Sequence, residues 1–244
     1  MTTHWVKLQP AYILYARSFR ETSLLVEAFT RDYGRISLVA RGARSAVGGK
    51  KRPRQYARFQ GLLQPFVPLL LSWYGRTELL NLTAAEPNGI LPAFQGQLLI
   101  CGFYVNELIS RVLHRFDAHS ELFQAYHYSL SHLAAHPQKH LRLFEKKLLT
   151  ALGFAPRLDY EMKTNYAVKP DQWYLFTPGQ GLSRCQAEDL QISQAVFRGA
   201  GLLALQEDRL EQPDNLRDAK RLLRLMLDHH LLAGVTIRSR ELLG

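Results

Sequence analysis

The sequence predicts an α+β protein, with strands in residues 1–84 and helices in residues 92–244. In the first segment, apolar residues form short runs or alternate with polar ones, which is the pattern of half-buried strands. In the second segment they recur three and four residues apart, as on the buried face of a helix. Proline, glycine and asparagine cluster between the segments and mark a domain boundary there.

Five short strands are predicted in the first domain. A tight turn at 32–34 joins the second strand to the third, because Gly34 supplies a positive φ. Pro65 and Pro68 mark the entry to the fourth strand and favour a sheet edge or a bulge for it. Five strands of this size suit a small closed barrel, and the OB-fold is the best-known such barrel that binds oligonucleotides. The strands cover residues 11–16, 24–29, 36–40, 66–74 and 77–83.

The second domain is predicted to be helical, with an irregular insertion at 154–185. Pro92 suits the first turn of the first helix, and Gly153 suits the C-terminal end of the third. Within the insertion, residues 173–185 have the pattern of a small hairpin. The five helices cover residues 92–112, 118–135, 139–152, 187–205 and 215–232.

The positive charge is concentrated in the first third of the chain. The formal net charge is +10, and residues 1–80 carry thirteen Lys and Arg against four Asp and Glu, a net +9. A field this localised attracts polyanions, nucleic acid first and an acidic membrane face second. The alternative is that the basic loop at 41–58 is only a solvated segment. The loop contains no acid, and its cations are Arg41, Arg44, Lys50, Lys51, Arg52, Arg54 and Arg58.

Aromatic residues accompany the cations. An exposed ring can stack on a base for about 1–3 kcal/mol without reading sequence. Phe29, Phe66 and Trp73 are expected in the core. Tyr33, at a turn tip, is the better candidate for stacking.

Several other classes of protein are disfavoured. No run approaches the roughly 18 apolar residues of a membrane span, and Met1 to Pro10 lacks a secretory signal, so we expect a cytoplasmic, nucleoid-associated protein without membrane contact. Cys101 and Cys185 are too few for a disulfide framework. Residues 45–50 fail as a phosphate-binding loop, and no catalytic motif is present. We expect neither an enzyme nor a cofactor.

Several segments resemble the RecO family of bacterial recombination mediators. Any one of them is weak, but five in family order are specific. The matched segments are 34–45 (GRISLVARGARS), 63–69 (LQPFVPL), 104–113 (YVNELISRVL), 141–145 with 152–156 (LRLFE, LGFAP) and 239–242 (SREL).

The resemblance implies an OB-fold joined to a helical domain. RecO-like proteins bind single- and double-stranded DNA and anneal complementary strands. They bind the acidic C-terminal tail of SSB, the single-stranded DNA-binding protein, and with RecR they help to load RecA. Arg142 falls on the matched helix that offers a cation to the SSB tail. Arg35, Arg41 and Arg44 are DNA contacts by resemblance, and charge and position add Tyr33, Lys50, Lys51, Arg52 and Arg54.

The chain departs from the family in one respect. Many members carry a four-cysteine zinc site around the irregular segment, but here residues 160–163 replace its first pair, and Cys185 alone remains of the second. One thiolate cannot hold zinc. We therefore expect a zinc-free hairpin, held by packing of Trp173, Tyr174 and Phe176.

Two alternative functions stay open at this stage. The first is an RNA-binding OB-fold protein of translation or RNA turnover, which a preference for the 2′-hydroxyl would reveal. The second is a metal-dependent hydrolase that uses His132, His136 and His140, although surface or capping roles explain these histidines better.

Overall fold

The computed structural model describes residues 4–43, 59, 61–90, 93–155, 157–185, 195–232 and 234–243. The chain forms two compact units, Met1–Ala134 with Ile237–Gly244, and Ala135–Thr236. The change from strands to helices lies within the first unit, between residues 87 and 96. The units themselves divide at Ala134, because the first helices belong with the strands.

A closed five-stranded barrel forms the first part of unit 1. Its strand order is β1-β2-β3-β5-β4, with β3 parallel to β5 and the other pairs antiparallel. The predicted OB-fold-like barrel is therefore confirmed. The strands are β1 His4–Phe19, β2 Ser23–Thr30, β3 Gly34–Ala40, β4 Pro68–Gly75 and β5 Leu79–Pro87.

Strand β1 is long enough to close the barrel by itself. Its first half pairs with β4 and its second half with β2, and the register shifts between Val6 and Gln9 and again between Ile13 and Tyr15. Of the two alternatives predicted for β4, the edge is wrong, because β4 has a partner on each side, and the bulge is present, because its register with β5 shifts between Ser72 and Trp73. Pro68 is its first residue, a position where a strand tolerates proline.

The barrel interior is filled by aliphatic side chains, the indole of Trp73 and the ring of Phe59. Val26, Ile36, Leu38, Leu69 and Trp73 belong to this core. The three aromatic residues predicted to be buried are all buried, but Trp73 alone lies inside the barrel. Phe29 packs against Phe123 and Tyr126, and Phe66 packs against Phe94 and Phe103.

Helices α1 (Gly96–Val112) and α2 (Ser120–His132) cover the part of the outer face of β1 and β2 around Tyr12 and Phe29. The ring of Tyr12 contacts Tyr126 edge-on, with centroids 4.9 Å apart. Asn106 donates to the carbonyl of Leu14 over 2.9 Å and accepts from the hydroxyl of Tyr126 over 2.7 Å. Helix α1 begins later than predicted, at Gly96, and Pro92 lies outside the described residues.

A buried carboxylate connects β2, β3 and the loop after α1. Glu27 is 2% exposed and accepts a hydrogen bond from Ser37 over 2.6 Å. Its oxygens lie 3.3 Å from the guanidinium of Arg35 and 3.4 Å from that of Arg115. The backbone N–H of Phe116 also donates to the carbonyl of Arg35, over 3.0 Å. The outer face of β3 is therefore closed at this end by polar contacts.

Helix α6 (Arg238–Leu243), which the sequence did not predict, is held to α1 by Glu107. The backbone N–H groups of Arg238 and Ser239 and the Ser239 hydroxyl all donate to this carboxylate, at 2.7–3.1 Å. These bonds satisfy N–H groups at the start of the helix, which have no partner within it.

No described helix is both long and apolar enough to cross a membrane.

Unit 2 combines helices with a three-stranded sheet of order β7-β6-β8. The predicted hairpin is confirmed as β6 (Trp173–Thr177) and β7 (Gly181–Arg184). The helix predicted over 187–205 is wrong at residues 196–198, which form β8 (Val196–Arg198) because β6 offers them a second edge. The helical elements are α3 (Pro137–Ala151), α4 (Gly199–Gln206), α5 (Pro213–Leu227) and a π-helical turn (Asp228–Leu232).

The first prediction concerns Gly34, whose φ is +63° and whose added Cβ would lie 1.9 Å from the carbonyl oxygen of Asp117. Gly61 is a matched control, because its φ is +77° and a Cβ there meets nothing within 4 Å. Both alanine variants carry the left-handed backbone cost of about 1–2 kcal/mol. Gly34→Ala should lose a further 1–3 kcal/mol, roughly, from overpacking, measured by urea unfolding. Equal losses in the two variants would contradict the close approach of the loop after α1.

The second prediction concerns pH. Burial raises the pKa of Glu107, but hydrogen bonds from Ser239 and Arg238 outweigh it, so the pKa lies below the ordinary 4.5. A lowered pKa in the folded state contributes stability that is complete above the unfolded pKa and lost as the pH falls through the folded pKa. Protection of the Arg238 and Ser239 amides from hydrogen exchange should therefore fall below pH 4.5. Glu107→Gln should cost about 1 kcal/mol near neutral pH and remove this acid dependence. An unchanged acid dependence in the variant would assign it to another group.

Candidate nucleic-acid interface

One face of the barrel is covered by helices and is closed to a ligand. The rings of Tyr12 and Phe29 meet α2 there, and Glu27 and Arg35 meet α1 and the loop that follows it. A nucleic acid therefore has to use the remaining outer surface of the barrel.

A row of side chains that point away from the barrel core crosses that surface, although Val39 within the row is buried. Each is the cross-strand partner of the next, and directly opposite residues project to the same face. Their chain neighbours Val6, Val26, Leu38, Trp73 and Leu80 point into the core. We call this set the outer row. It runs Trp5, Tyr74, Asn81, Val39, Leu25, Arg17.

Arg41 lies at the end of the barrel where the basic loop begins. It follows β3 directly and is exposed. Its neighbour Ala40 pairs with Leu24, so Arg41 is close to the β1–β2 turn, which carries the exposed Arg20. These cations and Arg17 share one end of the barrel. The remaining predicted cations of the loop, Arg44, Lys50, Lys51, Arg52 and Arg54, lie outside the described residues.

Tyr33 is exposed, as predicted, but it lies at the opposite end of β3 from Arg41. The ring is 41% exposed and meets the Trp73 indole edge-on, with centroids 5.3 Å apart. In the same turn, Asp32 accepts hydrogen bonds from Arg31, and these lower the pKa of Asp32. This ion pair offsets the charge of Arg31 at that end. The structure therefore does not bring Tyr33 and Arg41 into one cluster.

Arg35 has a structural role in the described surface. Its guanidinium donates to the carbonyl of Ser110 over 2.7 Å and lies 3.3 Å from Glu27, with 17% of the side chain exposed. A cation held by a buried carboxylate has less charge to offer a phosphate than an exposed one.

Arg142, which the resemblance assigns to the SSB tail, is buried in unit 2. It lies on α3, is 5% exposed and pairs with Glu145 over 2.9 Å, one helical turn away. Towards the start of α3, the half-buried Lys139 pairs with Glu211 over 2.5 Å.

The residues at the positions of the family's zinc ligands make hydrogen bonds and an ion pair with other residues of unit 2. Met162 donates its N–H to the carbonyl of Leu182 over 3.1 Å, and the buried Glu161 lies 3.6 Å from Arg184. Cys185 donates its N–H to the Trp173 carbonyl. Tyr174 and Phe176 are buried, as expected, whereas Trp173 is 44% exposed. Of the residues at these positions only Cys185 offers a thiolate, and among the described residues no three His, Cys, Asp or Glu side chains come together.

The histidine hypothesis finds no support in the described residues either. His132 ends α2, where its Nδ1 bonds to the Tyr128 carbonyl over 2.8 Å and its ring stacks on that of Tyr128. His136 precedes α3, and His140 is buried within it.

Sequence reasoning missed Trp5, which is 61% exposed. The alternation of His4, Trp5, Val6 and Lys7 suits a strand and could have placed Trp5 and Lys7 on one face. Only the pairing of β1 with β4 brings Trp5 beside Tyr74.

Comparison with known proteins gives matches along the whole chain. Residues 1–90 match the family model for the N-terminal domain of recombination protein O, and residues 94–240 match the model for its C-terminal domain. Curated relatives named DNA repair protein RecO agree. The one from Nitrosococcus oceani is 47% identical, with 98% of this chain and 93% of the relative covered.

Further relatives carry the same name. The protein from Laribacter hongkongensis is 42% identical, over 98% of this chain and 94% of its own length. The protein from Coxiella burnetii is 39% identical, over 99% of both chains. With a closed barrel followed by helices and these matches over its length, the chain belongs to the RecO family of DNA repair proteins.

Proposed function

We propose that this chain is a DNA-binding recombination mediator that anneals complementary strands and, with RecR and SSB, promotes loading of RecA. The observation that carries the DNA-binding part is the net +9 of residues 1–80, combined with a barrel that has one face closed by helices. The charge belongs to the unit that still has an open sheet face.

The proposed mechanism is electrostatic. Lys and Arg at phosphates release condensed counterions, so affinity does not depend on base sequence. Arg17, Arg20 and Arg41 are exposed at one end of the barrel, where the basic loop begins. Cations at this end reduce the repulsion between two DNA backbones and leave the base edges free to pair. Arg35 acts differently, because it stabilises the contact of β3 with α1.

For the partners, we propose that the SSB tail binds in unit 2 and that RecR joins the complex on SSB-coated DNA. A peptide that ends in Asp, an aromatic residue and a free carboxylate needs a cation beside an apolar surface. Arg142 has that chemistry, but it is paired with Glu145 in the structure. Binding through Arg142 therefore requires the tail carboxylate to replace Glu145 as its partner.

The third prediction tests DNA binding. In Arg41→Glu with Arg44→Glu, affinity for labelled single-stranded DNA should fall at least tenfold for every sequence, because two attractive interactions with phosphates become repulsive. The salt dependence of log affinity should become shallower by about 0.7 for each phosphate that is no longer neutralised. Fluorescence anisotropy with DNA and RNA of one sequence, titrated with salt, measures both quantities.

A matched control is Arg217→Glu with Arg224→Glu. It makes the same change in net charge on α5 in unit 2 and should bind DNA within about twofold of wild type. A loss restricted to one DNA sequence, or an equal loss in the control, would contradict binding by the barrel. A clear preference for RNA would replace the proposal with the RNA-binding alternative.

The fourth prediction concerns Arg142. Removing one member of a buried pair leaves the other charge uncompensated, so Arg142→Ala should lower the free energy of unfolding by about 3 kcal/mol. Arg142→Met with Glu145→Gln removes both charges and should restore most of that stability. An SSB-tail peptide should bind wild type and fail to bind this double variant, measured by calorimetry. Retained binding would show that the peptide does not use Arg142.

A further inference from the structure

The barrel carries an aromatic pair on its outer surface that its own packing does not require. Trp5 and Tyr74 are cross-strand partners on β1 and β4. Their rings stack with centroids 4.7 Å apart and planes 22° from parallel, and Trp5 is 61% exposed. The adjacent Trp73 fills the core from the inner side of β4, so the interior does not need the Trp5 indole.

The surroundings of this pair are polar and cationic. Lys7 is exposed and lies two residues from Trp5 on β1, at the register shift between Val6 and Gln9. The outer row continues through Asn81, and its far end is Arg17. An exposed ring with an exposed lysine nearby, on a unit with a large positive charge, matches the chemistry of a nucleic-acid strand better than that of an apolar peptide.

We infer that Trp5, supported from beneath by Tyr74, is a stacking platform for an unpaired base of single-stranded DNA. This inference rests on the proposed function and deepens it by naming the form of DNA that one site accepts. A single strand can turn a base onto the indole while its phosphates contact exposed cations such as Lys7. Because every base has a π-face, the contact is independent of sequence.

The platform separates single-stranded from duplex binding. In a duplex the bases are already stacked within the helix, and only the backbone and groove edges are accessible, so Trp5 gains nothing from it. The exposed cations meet phosphates in both forms. When a complementary strand pairs with the bound one, its base leaves Trp5 for the duplex stack. Pairing therefore weakens the hold on the annealed product.

The fifth prediction is that Trp5→Ala weakens binding of oligo(dT) about fivefold to a hundredfold, the effect of removing one base–ring stack. Binding of a duplex of equal length should change less than twofold. The salt dependence should stay as in wild type, because the substitution removes no cation from the phosphates. Trp5→Phe should recover part of the affinity for oligo(dT), because it keeps a smaller ring.

The matched control is Trp173→Ala, which removes another exposed indole, from the sheet of unit 2. It should leave both affinities unchanged. Trp173→Phe serves for a direct optical test, since of the chain's three tryptophans it then keeps Trp5 and the buried Trp73. Oligo(dT) should quench the emission of Trp5 in this variant, and duplex should not.

The outcomes separate this inference from the proposed function. Wild-type protein that binds neither form of DNA would overturn the proposed function itself. Wild-type binding of both forms, with oligo(dT) affinity unchanged in Trp5→Ala or with equal losses on duplex, would overturn the platform alone. The platform would also be overturned if Trp5→Ala kept its affinity for DNA and lost binding of a protein partner, because Trp5 would then be a protein-docking residue. Misfolding is excluded as the cause if the unfolding of Trp5→Ala matches that of wild type.

Discussion

The buried carboxylate of Glu27 is the constraint on which the arrangement of unit 1 depends. It lies on the outer face of β2 and meets Arg35 from β3, Ser37 from β3 and Arg115 from the loop after α1. A lone ionised carboxylate at this depth would be costly, so its partners are required by burial itself. The contacts of Glu27 with Arg35 and Arg115 hold that loop against β3 and close one side of the barrel.

That closure determines which surface remains for DNA. In a free barrel of this type any part of the outer surface could receive a strand, because the interior is filled by the core. Here Tyr12, Phe29 and Glu27 are covered by the first two helices and the loop between them, and the outer row is left on the open side. Arg35 and Arg115 therefore serve as partners of Glu27, whereas Arg17, Arg20 and Arg41 lie on the open surface.

Five of the described cations illustrate this difference between structural and surface roles. Arg35 and Arg142 have buried acidic partners, and a charge held in this way specifies packing. Arg17, Arg20 and Arg41 are exposed near the basic loop, where they can exchange counterions for phosphates. A net charge of +9 in residues 1–80 is therefore only an upper limit on what the barrel presents to DNA.

Local sequence determined the elements whose pattern is set by near neighbours. Periodicity and turn chemistry, which act over a few residues, account for the five strands, the hairpin at β6 and β7, the end of α3 at Gly153 and the exposure of Tyr33.

Tertiary structure decided what depends on partners distant in the chain. β8 is a strand because β6 has a free edge for it, and β4 is interior because β1 closes the barrel. The sequence does not distinguish Arg35 and Arg142 from surface cations. The residue type gives the charge, but the burial of a side chain depends on how the chain packs around it. Trp5 became part of a stacked pair only through the pairing of β1 with β4, 69 positions apart at Tyr74.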